Sequence, residues 1–268
     1  MPATTPRADT RLGIFLGCAF ALTWGTWWPL AARIPAGATP LAHAGFAALY
    51  VLGGVGPTLA ALVAVVLTPR EGSLREYAAR LLRWRVGLAW YLIALGGPPL
   101  LAWALAQLGL LQHAAPAAIL PWSQALALLP VMILGGGLEE LGWRGVAQPA
   151  LQRRWPLLGA CLAVGALWAL WHLPLFFLHG TAQYAGSFAR FAAGVGANAL
   201  LFGWLYAGTG SILLCVLAHA ASNTASASGL ELPAAAGSLV WLAAALKIAL
   251  GAGLILCRPP RAQLLANG

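Results

Sequence analysis

Apolar runs of about 20 residues recur along this 268-residue chain from Leu12 to Cys257. Each run is long enough to cross the hydrocarbon core of a bilayer as a helix. Only 8% of the residues are charged, and six acidic side chains are too few to solvate a soluble globule of this size. The sequence therefore predicts an all-α, polytopic membrane helix bundle and argues against a soluble domain.

Proline, glycine and arginine punctuate the apolar runs and divide them into eight predicted transmembrane helices. No linker or repeat separates them, so we expect a single transmembrane domain over residues 1–268. The polar segment from Pro69 to Arg85 is predicted as an interfacial amphipathic helix. The eight predicted spans cover residues 12–32, 45–67, 88–111, 123–152, 157–178, 190–207, 211–228 and 234–257.

The net charge of +9 would suggest nucleic acid in a soluble protein, but here we interpret it as a topology signal and expect no nucleic-acid partner. With eight crossings, the basic clusters fall on one side, so we expect both termini in the cytoplasm. Specific binding of lipid headgroups by the long basic loop is the alternative. The clusters comprise Arg7 and Arg11, then Arg70, Arg75, Arg80, Arg83 and Arg85, then Arg153 and Arg154, and finally Arg258 and Arg261.

Ionisable and amide side chains are rare inside the predicted spans, where an ionised group costs about 2.5–3.5 kcal/mol on insertion scales. Such residues are functional candidates because their burial must be offset. They are Glu139, Glu140 and Arg144 in the fourth span, His172 in the fifth, His219 and Asn223 in the seventh, and Lys247 in the eighth.

Helical spacing separates the two glutamates. Glu140 and Arg144 are four residues apart and share a face, so they are predicted to form an ion pair. Glu139 lies about 100° round the helix and has no local partner, which favours a role as a base. A purely structural charge cluster is the alternative. The three glycines before it, 135–137, could allow a helix or a substrate to approach closely.

Two chemistries fit these residues. Glu139, His172 and His219 could hold zinc with water as the fourth ligand. Without metal, Glu139 could take a proton from water, while His172 and Asn223 donate to a developing oxyanion. The chain lacks the residues that other hydrolase sites require: it has a single aspartate, no HExxH and no GxSxG.

Three motifs resemble those of the type II CAAX prenyl endopeptidase and bacteriocin-processing family of intramembrane proteases, also called the CPBP or ABI family. They are EELGWR at 139–144, WALWH at 168–172 and HAASN at 219–223. Trp168 stands where many members carry phenylalanine. The resemblance covers about 135–225 and is vaguer at GPTLAALV in the second span.

The resemblance implies eight helices, with a protease core at about 123–228 and a site open to the cytoplasm and to lipid. It implies Glu139 as general base assisted by His219, and His172 and Asn223 as oxyanion donors. Glu140 and Arg144 would organise the site. Some members are described as metal-dependent and others as glutamate-dependent, so zinc stays open.

We therefore expect an intramembrane endopeptidase acting on a membrane-embedded or lipidated peptide. The composition, rich in alanine, glycine and arginine with one lysine, favours a bacterial inner membrane. Maturation of, or immunity against, small secreted peptides then suits the chain better than prenyl processing. The alternative is a non-enzymatic transporter or immunity protein that uses the same polar cluster.

Overall fold

The computed structural model describes residues 9–111, 119–232 and 237–257, and within these ranges the chain is helical with no strand. Helices satisfy the backbone internally, which apolar segments in lipid require. Arg7, Arg258 and Arg261 lie outside the described residues. The helices are α1 (Thr10–Ala31), α2 (Ala44–Gly54), α3 (Gly56–Leu67), α4 (Leu74–Leu81), α5 (Leu88–Leu111), α6 (Trp122–Gly135), α7 (Glu140–Gly142), α8 (Gln148–Gln152), α9 (Leu157–Trp171), α10 (Phe188–Thr209), α11 (Ile212–Ala227) and α12 (Ser238–Cys257).

All eight predicted spans are helical in their described parts, but they differ in how they could cross a bilayer. Within the part of the chain that the structure describes, six helical stretches are long and apolar enough to do so. The second predicted span is the pair α2 and α3, bent by 48° where Val55 separates them. The seventh is α11, which has only 16 residues. The all-α polytopic bundle is confirmed: the described residues contain six to seven candidate crossings of full length and one shorter helix, where the sequence predicted eight spans.

The fourth predicted span, 123–152, is not the continuous α-helix that the spacing argument assumed. The helix α6 ends at Gly135, and Gly136 (φ −169°, ψ −42°) leaves helical geometry. A 3-10 turn at Gly137–Glu139 follows, then α7, a π-helical turn at Trp143–Ala147 and α8. The helix breaks where glycines let the backbone approach α11 closely. A side chain at Gly137 would lie 2.9 Å from the carbonyl oxygen of Val216.

The described residues of the basic clusters before and after α3 and after α8 meet at one end of the bundle. The guanidinium of Arg153 contacts the carboxylates of Asp9 and Glu71, the latter at 3.6 Å. The Arg11 guanidinium donates to the carbonyl oxygen of Thr68 at 2.6 Å. These contacts confirm that the start of α1, the loop after α3 and the end of α8 lie on one side. We call this side the arginine-rich end.

The predicted amphipathic helix is present as α4 on the arginine-rich end. Ser73 and Glu76 form a capping box at its start. The buried Tyr77 donates its hydroxyl proton to the carbonyl oxygen of Leu141 at 2.9 Å. Burial raises the pKa of the Tyr77 phenol, so this donor keeps its proton at physiological pH. The helix thus secures the segment that carries both glutamates.

Close packing of α7 gives a test of the fold. A methyl group at Gly142 would overlap the ring of Phe15 and lie 2.9 Å from the carbonyl oxygen of Pro57. We expect Gly142→Ala to lower the unfolding free energy by about 1–3 kcal/mol, because overpacking displaces neighbours. Thermal unfolding in detergent measures this. Gly17→Ala is the matched control, since no atom lies within 4 Å of its added carbon; equal stability of both variants would contradict the packing.

Candidate functional site

Glu139 ends the 3-10 turn and is only 7% exposed. The indole nitrogen Nε1 of Trp168 in α9 donates to its Oε2 at 2.7 Å. The sequence left Glu139 without a partner because only neighbours on its own helix could be considered. The donor comes from another helix, and the sequence analysis assigned Trp168 no hydrogen-bonding role. The indole orients the carboxylate without neutralising its charge.

Glu140 forms the predicted ion pair with Arg144. The Nη1 atom of Arg144 lies 2.9 Å and 3.0 Å from the two carboxylate oxygens. Both side chains are fully buried. The guanidinium also lies 5.2 Å from the ring centre of Trp168, a cation–π distance. The pair therefore joins the broken helix to α9.

His219 in α11 binds Glu140 as well. Its Nδ1 lies 3.0 Å from the Oε1 atom of that carboxylate, and the residue is buried. A carboxylate accepts, so Nδ1 carries the proton and Nε2 is left for other contacts. The resemblance led us to expect His219 to assist Glu139. In the structure, the Nδ1 atom of His219 contacts Glu140 instead, and this contact fixes the orientation of the ring.

His172 follows the last residue of α9. Its Nδ1 lies 2.8 Å from the carbonyl oxygen of Trp168. A carbonyl only accepts, so Nδ1 again carries the proton. The rings of Trp171 and Phe191 pack against it with centroids at 4.5 Å and 5.0 Å. The neutral ring thus presents Nε2 as an acceptor, and it donates from Nε2 only when doubly protonated.

Four of the six predicted site residues line one cavity of about 860 Å³, which we call the chamber. They are Glu139, His172, His219 and Asn223. Glu140 and Arg144 do not line it and lie behind this wall. The structure thus separates the two glutamates: Glu139 lines the chamber, whereas Glu140 pairs with Arg144 behind it.

Gly136 brings α6 against the polar residues of α11. A side chain there would overlap Nδ2 of Asn223 and lie 3.2 Å from Nε2 of His219. The predicted close approach at the glycine run is thus confirmed for Gly136 and Gly137, and the approaching element is a helix. Gly135 has no atom near its missing side chain and lines the chamber.

Lys247 pairs with an acidic residue that the sequence analysis did not single out. Its Nζ lies 3.3 Å from Oε1 of Glu231, beyond the end of α11. Both residues line the chamber. Glu231 is the one acidic residue after the fourth span. The charge of Glu231 can be read from the sequence, but its position in a loop gave no reason to pair it with a residue on a helix.

A catalytic zinc ion needs three protein donors grouped around one point. Within the ranges that the structure describes, no three histidine, cysteine, aspartate or glutamate side chains are grouped to hold a metal ion. Glu139, His172 and His219 share the chamber without forming such a group. The residues as arranged do not fit the zinc alternative.

Fold and site together define a class: an integral membrane helix bundle with a buried glutamate, two histidines and an asparagine around an internal chamber. Comparison with known proteins narrows this class further. Residues 121–225 match the sequence model of the family described as Type II CAAX prenyl endopeptidase Rce1-like. The resemblance seen in the three motifs is thereby confirmed over residues 121–225.

A curated relative agrees over a shorter stretch. CAAX prenyl protease 2 from Methanococcus maripaludis is 44% identical over 57 residues, which is 21% of this chain and 21% of the relative. The chain thus matches about one fifth of that relative's length.

Removal of the Glu140 charge tests the buried cluster. We expect Glu140→Gln to lower the unfolding free energy by about 3–5 kcal/mol, because Arg144 then stays buried without a counter-charge. Chemical unfolding in mixed micelles measures the change.

The matched control is Arg153→Gln. The side chain of Arg153 is 48% exposed in its ion pairs, so its loss should change stability by about 0–1 kcal/mol. Similar effects of both variants would show that burial of Glu140 does not govern the stability of the site.

Proposed function

We propose that the protein is an intramembrane endopeptidase that hydrolyses a peptide bond in a membrane-embedded or lipidated protein or peptide. The observation that carries the proposal is Glu139, a buried carboxylate that lines the chamber together with His172, His219 and Asn223. Amide hydrolysis needs an activated water and a donor for the oxyanion, and this set supplies both. The matched family is one of prenyl endopeptidases by its description.

Glu139 is the general base in this proposal. It takes one proton from a water molecule, and the water oxygen forms a bond to the carbon of the scissile carbonyl. The Nε2 atom of His219 holds the same water by accepting its second proton in a hydrogen bond. When the carbon–nitrogen bond breaks, Glu139 returns its proton to the leaving amine. The indole donor of Trp168 holds the carboxylate in position for both transfers.

Asn223 is the principal oxyanion donor. An amide Nδ2 donates in every protonation state of the site, whereas His172 has its Nδ1 proton committed to the Trp168 carbonyl. His172 adds a second donor only when Nε2 is also protonated. This refines the equal roles that the resemblance implied for the two residues.

Glu140 and Arg144 act as positioning residues. They do not line the chamber, so they do not reach a substrate there. Glu140 orients His219 through Nδ1, and Arg144 offsets the buried charge of Glu140. Their contribution to the rate is the geometry of the other four residues.

Glu139→Gln tests the base. We expect hydrolysis to fall by about 10²–10⁴-fold, the usual contribution of a general base, with thermal stability retained. The assay follows membrane and secreted peptides by mass spectrometry in the native host with wild-type or variant protein.

The control is Glu76→Gln, which alters an exposed carboxylate and keeps its capping role. It should leave every cleavage unchanged. Full biological activity of Glu139→Gln would remove proteolysis as the function and favour the transporter or immunity alternative.

Chelation tests the metal question separately. Because the histidine and carboxylate side chains of the described residues form no three-ligand group, we expect 1,10-phenanthroline to leave both cleavage and melting temperature unchanged. Elemental analysis of the purified protein accompanies the assay. Loss of activity that tracks loss of bound zinc, with recovery on adding zinc, would contradict the metal-free mechanism.

A further inference from the structure

The chamber occupies only the half of the bundle that lies away from the arginine-rich end. Its wall includes the first halves of α10 and α12, which begin at the opposite end, and the second halves of α9 and α11, which finish there. None of its lining residues comes from the Pro69–Arg85 segment or from 153–156. The site is therefore closed toward the arginine-rich end.

Loops of the opposite end form the rim of the chamber. The segment between α9 and α10 contributes Ala182 and Gly186, the α1–α2 connection contributes Leu41, and the last turn of α11 contributes Ser226. All four residues are exposed. A hydrogen bond from the amide of Leu120 to the Ser228 carbonyl joins the start of α6 to this same end. The opening thus faces away from the basic clusters.

A second exposed wall faces the surrounding lipid. Val51 in α2 and Val131 and Leu134 in α6 line the chamber, and each is more than half exposed. These apolar side chains suit contact with acyl chains. A peptide anchored in the bilayer could thus reach Glu139 while its anchor remains in lipid.

Charge orients the bundle. Eight arginines and three acidic residues belong to the arginine-rich end, whereas the described residues of the opposite end carry Arg33, Arg190 and the ion pair of Lys247 with Glu231. The positive-inside rule places the more basic end in the cytoplasm. The eight are Arg11, Arg70, Arg75, Arg80, Arg83, Arg85, Arg153 and Arg154.

We propose that the chamber opens to the extracytoplasmic side, and that its substrates are exported peptides still anchored in the outer leaflet. That the bound peptides are substrates rests on the proposed function. The side on which the chamber opens rests on geometry and charge alone. It departs from the cytoplasmic opening that the family resemblance implies. A cytosolic lipidated protein would meet the closed, arginine-rich end.

Cysteine labelling tests the side of the opening. The background carries Cys18→Ala and Cys257→Ala and keeps the buried Cys161 and Cys215. Into it we place Ala182→Cys at the rim or Arg75→Cys at the arginine-rich end, both exposed positions. Intact spheroplasts are treated with a membrane-impermeant maleimide, and a second sample is permeabilised first.

The cysteine at 182 should be labelled equally with and without permeabilisation, and the cysteine at 75 only after it. Gln183→Cys replaces the rim variant if Ala182→Cys does not accumulate. The reverse pattern, with position 75 labelled from outside, would overturn the proposal.

Cleavage sites provide the second arm. Peptides that differ between wild type and Glu139→Gln in the native host should be cut on extracytoplasmic segments. Cuts on cytosolic segments would refute the substrate class while leaving the protease intact. If the two strains yield identical peptides, the proposed function fails, and labelling still decides the side on which the chamber opens.

Discussion

The carboxylate of Glu140 is the contact on which the site depends. It is fully buried, and it binds the guanidinium of Arg144 and the Nδ1 atom of His219. A buried charge of this kind is tolerated only with such partners, because desolvation otherwise exceeds the attraction. One side chain therefore holds the π-helical turn and α11 in fixed relation. It also leaves its neighbour Glu139 free to face the chamber.

Two adjacent glutamates make different contacts because the helix that carries them is irregular. A 3-10 turn ends at Glu139 and a π-helical turn begins at Trp143, so the chain is wound more tightly and then more loosely than an α-helix. Gly136 makes this possible by allowing α6 to lie against Asn223. The same glycine that breaks the helix thus brings the amide into the site.

Local spacing was enough to predict part of this arrangement. Glu140 and Arg144 are four residues apart, and their ion pair survives the irregular winding. The apolar runs predicted the helices, and the basic loop predicted α4. These features depend on neighbours in the sequence or on the solvent, and a single sequence records both.

Contacts between distant helices could not be predicted in the same way. The bond from Trp168 to Glu139 spans 29 residues, and the bond from His219 to Glu140 spans 79. Each depends on how α9 and α11 pack around the broken segment. The pairing of Lys247 with Glu231 likewise requires the loop after α11 to fold back on α12. Helical periodicity carries no information about contacts between helices that are distant in the sequence.

Chemistry and orientation are encoded in different parts of this chain. The family match covers residues 121–225, which include all six predicted site residues but none of the Pro69–Arg85 segment. That segment carries five of the arginines by which the positive-inside rule orients the bundle. A likeness confined to the site therefore leaves open which compartment the site faces. Because the chamber lies in the half away from those arginines, the residues that we propose as catalytic would face the opposite side of the membrane from the one that the family resemblance implies.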